Sequence, residues 1–302
     1  MLIAKLAVVA IFAATTAHIH FRGHARLGFW RQLSDHSTFM APINCLMYLF
    51  SRAPGTPYLP LDNFPELEKL TAHWRQIREE AVRLYERGDI KASARYDDAG
   101  FNSFFKTGWK RFYLKWYDTE HPSAAELCPY TTALLKEFPT IKAAMFAALP
   151  PGARLVRHRD PYAGSVRYHL GLITPGDDGC YISVDGQNYS WRDGQAVMFD
   201  ETYLHYAENT TPSNRIILFC DVERPIWFPP ARWLNRFLSR NLIGAAAAPN
   251  REGDPMGGIN RAFATIQAVR LFGKRIKARN RTAYYALKWL LFGGLLAAWL
   301  YF

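Results

Sequence analysis

Cysteine is scarce in this 302-residue chain, and its four copies, Cys45, Cys128, Cys180 and Cys220, are scattered. No two stand in a CxxC pair, which argues against a zinc-finger or thioredoxin-like site. Isolated thiols of this kind suit a reducing compartment. Acidic residues also run short: 26 Asp and Glu face 37 Lys and Arg, a formal net charge of +11. That excess points to nucleic acid, a membrane surface or an anionic substrate, and its location decides between them. Internal repeats are lacking. The chain is long enough to bury a large core without staples, and its mean hydropathy of −0.16 directs attention to membrane segments.

The clearest such segment is Ala283–Phe302, AYYALKWLLFGGLLAAWLYF, whose one charge is Lys288. About 20 apolar residues cross the hydrocarbon core as a helix. Tyr284, Tyr285 and Trp289 near one end, and Trp299 and Tyr301 near the other, match interfacial aromatic belts. Leu2–Ile19 is a second apolar run, interrupted by Lys5, Thr15, Thr16 and His18, and reads as an uncleaved anchor rather than a signal peptide. Arg22, Arg26 and Arg31 follow the first segment, and Arg270, Lys274, Arg275, Lys277, Arg279 and Arg281 precede the second. Basic flanks stay cytoplasmic, so the body between them is expected in the cytoplasm, with its flanking charge drawn to anionic lipid.

These segments divide the chain into an N-terminal anchor (1–21), a juxtamembrane segment (22–57), a body (58–225), a basic, partly amphipathic region (226–282) and a C-terminal transmembrane helix (283–302). Within the fourth, PARWLNRFLSRNLI places Arg232, Arg236 and Arg240 on one face and Trp233, Leu234, Phe237 and Leu238 on the other. That pattern fits an interfacial helix or a surface helix packed on the body. Gly244–Gly258, rich in Ala, Gly and Pro, reads as a linker.

The body begins with a helical pattern over Phe64–Arg87, and Ser123 with Glu126 suggests a capping box. After Thr140 the pattern changes to short apolar runs: Ala143–Leu149, Tyr168–Thr174, Cys180–Val184, Asn188–Trp191, Ala196–Phe199 and Ile216–Val222. Turns are expected at Pro150-Pro151-Gly152, Asp185-Gly186 and Asp193-Gly194. Short strands with regular turns indicate an α+β, mainly β body built as a β-sandwich or jelly roll, flanked by helices.

His158 and Asp160 form an HxD triplet after one such strand, and His205 follows on the strand-like run Tyr203–Asn209. Two imidazoles and a carboxylate can take one face of octahedral iron(II), leaving three positions open. Residues i and i+2 of a strand project to one side, so both HxD side chains reach one metal. Alone the triplet is weak, because nine histidines make a chance HxD common. Arg215 opens the last strand, RIILFCDV. A buried guanidinium there would grip the distal carboxylate of iron-chelated 2-oxoglutarate bidentately. Arg167 and His169 alternate on YHLGL and would point inward beside it. The plainer alternatives are an exposed strand-start charge for Arg215 and a core histidine for His169.

HRDP, RYHLGL, WRDGQAVMFDETYLHYAEN and RIILFCDVERP together resemble the aspartyl/asparaginyl β-hydroxylase superfamily of 2-oxoglutarate oxygenases. Within it the chain is most similar to the bacterial lipid A 2-hydroxylase (LpxO) family. RQLSDHSTFMAP, KASARYDDAGFNSFF and GWKRFYLKWY extend the likeness upstream, so that it covers roughly Arg31–Pro225. The resemblance implies a double-stranded β-helix, iron(II), 2-oxoglutarate and dioxygen. It implies that His158, Asp160 and His205 are iron ligands, that Arg215 is the main 2-oxoglutarate anchor, and that Arg167 and His169 occupy neighbouring cosubstrate-pocket positions. The animal members lack a carboxylate at the position of Asp160, which here completes the usual triad. The implied reaction hydroxylates the 2-position of an acyl chain on lipid A, a lipopolysaccharide precursor, from the cytoplasmic side of the bacterial inner membrane.

Phe101–Tyr117 mixes Lys106, Lys110, Arg111 and Lys115 with aromatic residues. It suits either a phosphorylated, acylated substrate or an amphipathic element packing its aromatics inward. Nucleic acid is not expected as a partner, given the anchors. The alternatives are a membrane-tethered peptidyl aspartyl/asparaginyl hydroxylase, a zinc hydrolase using the same ligands, and a non-catalytic jelly-roll binding module.

Overall fold

The computed structural model describes residues 2–93 and 97–301. Met1, Phe302 and residues 94–96 of the KASARYDDAGFNSFF motif lie outside the described residues. Eleven strands follow in order: β1 (Tyr58–Leu59), β2 (Lys110–Trp116), β3 (Thr119–Glu120), β4 (Ile141–Leu149), β5 (Arg154–His158), β6 (Ser165–Ile173), β7 (Cys180–Val184), β8 (Gln187–Ser190), β9 (Ala196–Phe199), β10 (His205–Asn209) and β11 (Arg215–Glu223). They form a seven-stranded sheet, β1-β9-β6-β11-β4-β2-β3, and a four-stranded sheet, β5-β10-β7-β8. From β4 to β11 the chain passes back and forth between the two sheets, apart from the β7–β8 hairpin within the smaller one, with β4-β11-β6-β9 facing β5-β10-β7-β8. This is a double-stranded β-helix, the jelly roll expected from the turn spacing.

The central strands read as continuous apolar runs because both faces of the large sheet are covered. Period-two alternation then sorts their side chains. On β11, Ile216, Leu218, Cys220 and Val222 face the helices Leu67–Ala72, Trp74–Glu86, Pro122–Leu127 and Pro129–Leu135. Ile217 and Phe219, with Met145 and Ala147 of β4, face the small sheet. The odd-numbered positions of β6 and β11 therefore line the interior of the jelly roll, and these include Arg167, His169 and Arg215.

Local chemistry sets the connections. Asp185 (φ +54°) and Gly186 (φ +85°) form the tight β7–β8 hairpin, a conformation that favours an Asp-Gly pair. The Asp185 carboxylate also accepts the backbone N–H groups of His24 (3.0 Å) and Ala25 (2.7 Å), which ties the end of the first helix to this turn. Glu80, buried on the helix Trp74–Glu86, accepts the backbone N–H groups of Tyr130 (3.0 Å) and Thr131 (2.8 Å). It thereby satisfies two otherwise orphaned donors at the start of the next helix.

Several expectations change. The Phe64–Arg87 pattern is two helices, Leu67–Ala72 and Trp74–Glu86, with His73 between them hydrogen-bonded to the Tyr130 hydroxyl. Ser123 and Glu126 form no capping box: Ser123 bonds Asp254 through both its N–H (3.0 Å) and hydroxyl (2.6 Å), and Glu126 pairs with Arg251. Those partners come from the stretch that reads as a linker. Residues 244–258 instead pack on β2, where the buried Asn250 side chain accepts from Tyr113 N (2.7 Å) and donates to Tyr113 O (2.8 Å). Its small residues allow that close approach to the strand. The Phe101–Tyr117 stretch is mostly interior: Trp109, Phe112, Tyr113, Trp116 and Tyr117 are buried, and Arg111 is buried against Asp98 at 2.9 Å.

Among the described residues two helices, Leu2–Phe21 and Arg281–Tyr301, are long and apolar enough to cross a membrane. Lys5, near the start of the first, lies over the ring of Trp299, near the end of the second, and Trp30, beyond the end of the first, lies beside Trp289 in the first half of the second. The helix Pro229–Leu238 buries Ala231 and Asn235 but leaves Trp233 and Phe237 exposed and stacked on each other.

Candidate active site

β5 and β10 are antiparallel neighbours, and their register sets His205 opposite His158. The two imidazole centroids are 4.2 Å apart. Asp160 follows β5 directly, and its N–H bonds the Glu201 carbonyl at 2.9 Å, which ties the HxD turn to the loop leading into His205. Asp160 Oδ1 lies 3.4 Å from His158 Nε2 and 4.0 Å from His205 Nε2. One ligand atom from each residue lies within 4.8 Å of the others, and they form a group able to hold a metal ion.

The tautomers suit that role. His158 Nδ1 is 2.7 Å from the Val156 carbonyl and His205 Nδ1 is 3.0 Å from the Tyr203 carbonyl. A carbonyl oxygen only accepts, so each Nδ1 carries the proton and each Nε2 turns a lone pair to the shared centre. Burial, reinforced by His158, lowers the His205 pKa to about 3, against the pull of Asp160, so this imidazole is neutral at physiological pH. Burial would raise Asp160, but the Arg167 guanidinium and the two imidazoles outweigh it and hold the carboxyl well below its usual range. The donor set of two imidazoles and one carboxylate fits a non-haem iron(II) centre.

Arg167 and His169 rise from β6 into the same interior. Arg167 Nη2 donates to Asp160 Oδ2 at 2.6 Å, and its Nε is 2.9 Å from Asp221. His169 is buried among Trp191, Phe199 and Phe219, and neither ring nitrogen has a hydrogen-bond partner among the described residues. Burial, with Arg167 and Arg215 nearby, keeps His169 neutral.

Arg215 is buried at 2% exposure, and no ion-pair partner is found for it among the described residues. Its guanidinium carbon lies 4.3 Å from the Trp191 ring centroid, Nη1 reaches the Ala147 carbonyl at 3.4 Å, and the Cys180 thiol is a further side-chain neighbour of the guanidinium. Burial lowers its pKa to about 10, so it remains cationic at neutral pH. Nε of Arg215 and Nε1 of Trp191 are both buried without a hydrogen-bond partner among the described residues. A buried cation with unused donors is costly unless an anion completes it. All six sequence-identified residues, His158, Asp160, Arg167, His169, His205 and Arg215, line one cavity. Sequence reasoning missed Trp191, which closes the cavity beneath Arg215, as well as the buried acids Glu201 and Asp221 behind Arg167. WRDG and the alternation along β11 were the signals available for Trp191 and Asp221.

The sequence profile of the aspartyl/asparaginyl β-hydroxylase family matches residues 71–225. An ornithine lipid ester-linked acyl 2-hydroxylase from Rhizobium tropici is 40% identical over 130 residues, 43% of this chain and 46% of that protein. The human aspartyl/asparaginyl β-hydroxylase is 27% identical over 175 residues, 56% of this chain and 22% of that protein. This chain thus spans less than half the length of either relative. A solved Pseudomonas putida prolyl-4-hydroxylase aligns over 60% of this chain and 98% of its own, at 18% identity and a TM-score of 0.37. The family profile covers just over half of the 302 residues and includes all six cavity residues named above, and the chain belongs to the aspartyl/asparaginyl β-hydroxylase family.

Proposed function

We propose that the protein is an iron(II)- and 2-oxoglutarate-dependent dioxygenase that hydroxylates the 2-position of an acyl chain on a membrane lipid, with lipid A as the substrate. The observation that carries this reading is the pairing, in one cavity, of the His158–Asp160–His205 group with the buried, cationic Arg215, which has no ion-pair partner among the described residues. A hydrolytic metal site has no need of a buried carboxylate anchor. Bound iron and 2-oxoglutarate would supply the oxidising power, converting dioxygen, 2-oxoglutarate and a C–H bond into an alcohol, succinate and carbon dioxide.

The chain's own residues do the rest. His158, Asp160 and His205 hold the metal through Nε2, Oδ1 and Nε2. Arg215 pairs with the distal carboxylate of the cosubstrate, and the Trp191 face and indole N–H keep that end dry and oriented. Neutral His169 completes the pocket without adding charge. Phe101, Phe104 and Leu155 give the cavity an apolar wall suited to an acyl chain. The Rhizobium relative acts on an ester-linked acyl group of a lipid, which supports a lipid over a peptide.

The two apolar helices would place the protein in the inner membrane with its catalytic domain in the cytoplasm, where iron(II), 2-oxoglutarate and newly made lipid A are available. A reporter near Gly253 should then report cytoplasm, and one after the second apolar helix periplasm.

Mass spectrometry of lipids from cells expressing the wild type or His205→Ala tests the substrate. One added oxygen on an acyl chain of lipid A, present only with the wild type, is expected. The same gain confined to an ornithine lipid would change the substrate. Unmodified lipids with hydroxylated aspartyl or asparaginyl peptides would replace this reading with peptidyl hydroxylation.

A further inference from the structure

Between the first apolar helix and the body lie three short helices, Phe29–Leu33, His36–Phe39 and Ala41–Leu49. Their depth can be read against both apolar helices. Cys45 Sγ is 3.8 Å from the Thr15 carbonyl and Tyr48 packs on His18, so the helix Ala41–Leu49 runs beside the first apolar helix in the same direction. Thr15 lies seven residues inside the basic flank that Arg22 opens, about 10 Å along a helix axis. On the other side, the Trp30 ring centroid is 6.0 Å from that of Trp289, eight residues inside Arg281 and so about 12 Å along its helix. Headgroup layers are only about 5–7 Å thick on each side. The two measures place Trp30 and Cys45 past the headgroups, and Tyr48, level with His18 and so about 6 Å inside Arg22, at their inner edge, if the basic flanks lie at headgroup level.

The surface chemistry agrees. Phe29, Trp30, Phe39 and Leu49 are 61%, 69%, 58% and 70% exposed. Asp35 is the only acid from residue 1 to 61, and it is used internally, accepting from Ser37 N (3.0 Å) and Oγ (2.7 Å). Arg26 and Arg31 are exposed, and no Asp or Glu occurs from residue 255 to 302. An apolar collar with basic and almost no acidic company is complementary to anionic lipid.

We propose that the collar formed by residues 29–49 is inserted into the acyl region of the leaflet, continuous with the two spanning helices, so that the active-site mouth opens at the lipid surface. The collar brackets the first metal-ligand position: Arg31 Nη2 donates to the Arg157 carbonyl (3.1 Å) and His36 Nε2 to the Arg159 carbonyl (2.5 Å), on either side of His158. A lipid then presents an acyl chain to the cavity without leaving the leaflet. This rests on the membrane-spanning reading of the two apolar helices.

The test uses the full chain in nanodiscs of phosphatidylethanolamine and phosphatidylglycerol, in a Cys45→Ser background. Nitroxides are attached at Trp30→Cys and Phe39→Cys, with Leu290→Cys on the second apolar helix and Glu79→Cys on the far side of the body as references. Collision with oxygen and with a water-soluble nickel chelate is measured by electron paramagnetic resonance. Positions 30 and 39 are expected to match position 290, with high oxygen and low nickel access. If they match position 79 while 290 is in lipid, the collar is in water and the inference is wrong. Shielding of 30 and 39 from both colliders would mean that protein, such as a second copy, covers them, which also overturns it. Nickel access at position 290 would instead remove the spanning reading, and this inference with it.

Discussion

Arg167 grips Asp160, the carboxylate of the His158–Asp160–His205 cluster, on the oxygen that faces away from the imidazoles: Nη2 donates to Oδ2 at 2.6 Å, leaving Oδ1 toward His158 and His205. Arg167 is itself held by Asp221 at 2.9 Å and lies over the Phe219 ring at 3.8 Å. The guanidinium thus keeps the carboxylate ionised and orients it.

Arg167→Met is therefore expected to weaken manganese(II) or iron(II) binding by about 10–100-fold, as loss of a ligand's outer partner does. His205→Ala should abolish binding. Calorimetric titration of the metal in the absence of 2-oxoglutarate checks this, and unchanged affinity in Arg167→Met would show that Asp160 needs no support.

Arg215→Ala should leave metal binding intact and weaken 2-oxoglutarate by roughly 30-fold or more, corresponding to about 2–5 kcal/mol for a buried charged hydrogen bond. Trp191→Phe removes the indole N–H together with part of the ring face under Arg215 and should cost about 2–10-fold. Binding of 2-oxoglutarate to the manganese-loaded protein measures both. Undiminished affinity in Arg215→Ala would assign the anchor elsewhere.

Glu201 supplies a pH test in the metal-free protein. Burial, with Asp221, Asp160 and Asp200 nearby, raises its pKa to about 8, against the pull of Arg167. The unfolded chain would release this proton near pH 4.3 and the folded protein only near pH 8. Stability from this group therefore falls as pH rises across that window. Each unit of such a shift corresponds to about 1.4 kcal/mol. Glu201→Gln should melt higher than the wild type at pH 8 and equally near pH 4. An equal difference at both values would mean that Glu201 folds ionised.

Arg22 couples the first apolar helix to the His205 loop. Its guanidinium lies between the Tyr48 and Tyr203 rings, 2.7 Å from Asp200 and 2.6 Å from the Thr202 hydroxyl. Arg224 also pairs with Asp200 at 2.8 Å and would retain part of the charge balance. Arg22→Ala is expected to cost about 2–4 kcal/mol, and Arg26→Ala, at an exposed position, close to nothing. Thermal unfolding in nanodiscs compares the two.

Much of the fold was legible because strand alternation and turns are local. The Asp185-Gly186 hairpin and the runs Cys180–Val184 and Ala196–Phe199 fall where residue pattern places them. The clustering of His158, Asp160 and His205 was legible for a similar reason: HxD at a strand end brings two side chains to one side, and motif order supplies the third. Long-range pairing was not legible. Nothing local to Arg167 indicates that Asp160 and Asp221 will meet it, or that Trp191 will lie against Arg215. Composition also misread residues 244–258, because Asn250 binds β2 through partners more than a hundred residues away.

The central claim is that this cavity uses dioxygen and 2-oxoglutarate to hydroxylate a lipid acyl chain. The most direct measurement gives the purified full chain iron(II), 2-oxoglutarate, lipid A and ¹⁸O-labelled dioxygen, and follows lipid and succinate by mass spectrometry. One labelled oxygen should enter the acyl chain for each succinate formed, with none when His205→Ala replaces the wild type. An unmodified acyl chain, or an oxygen drawn from water, would contradict the account.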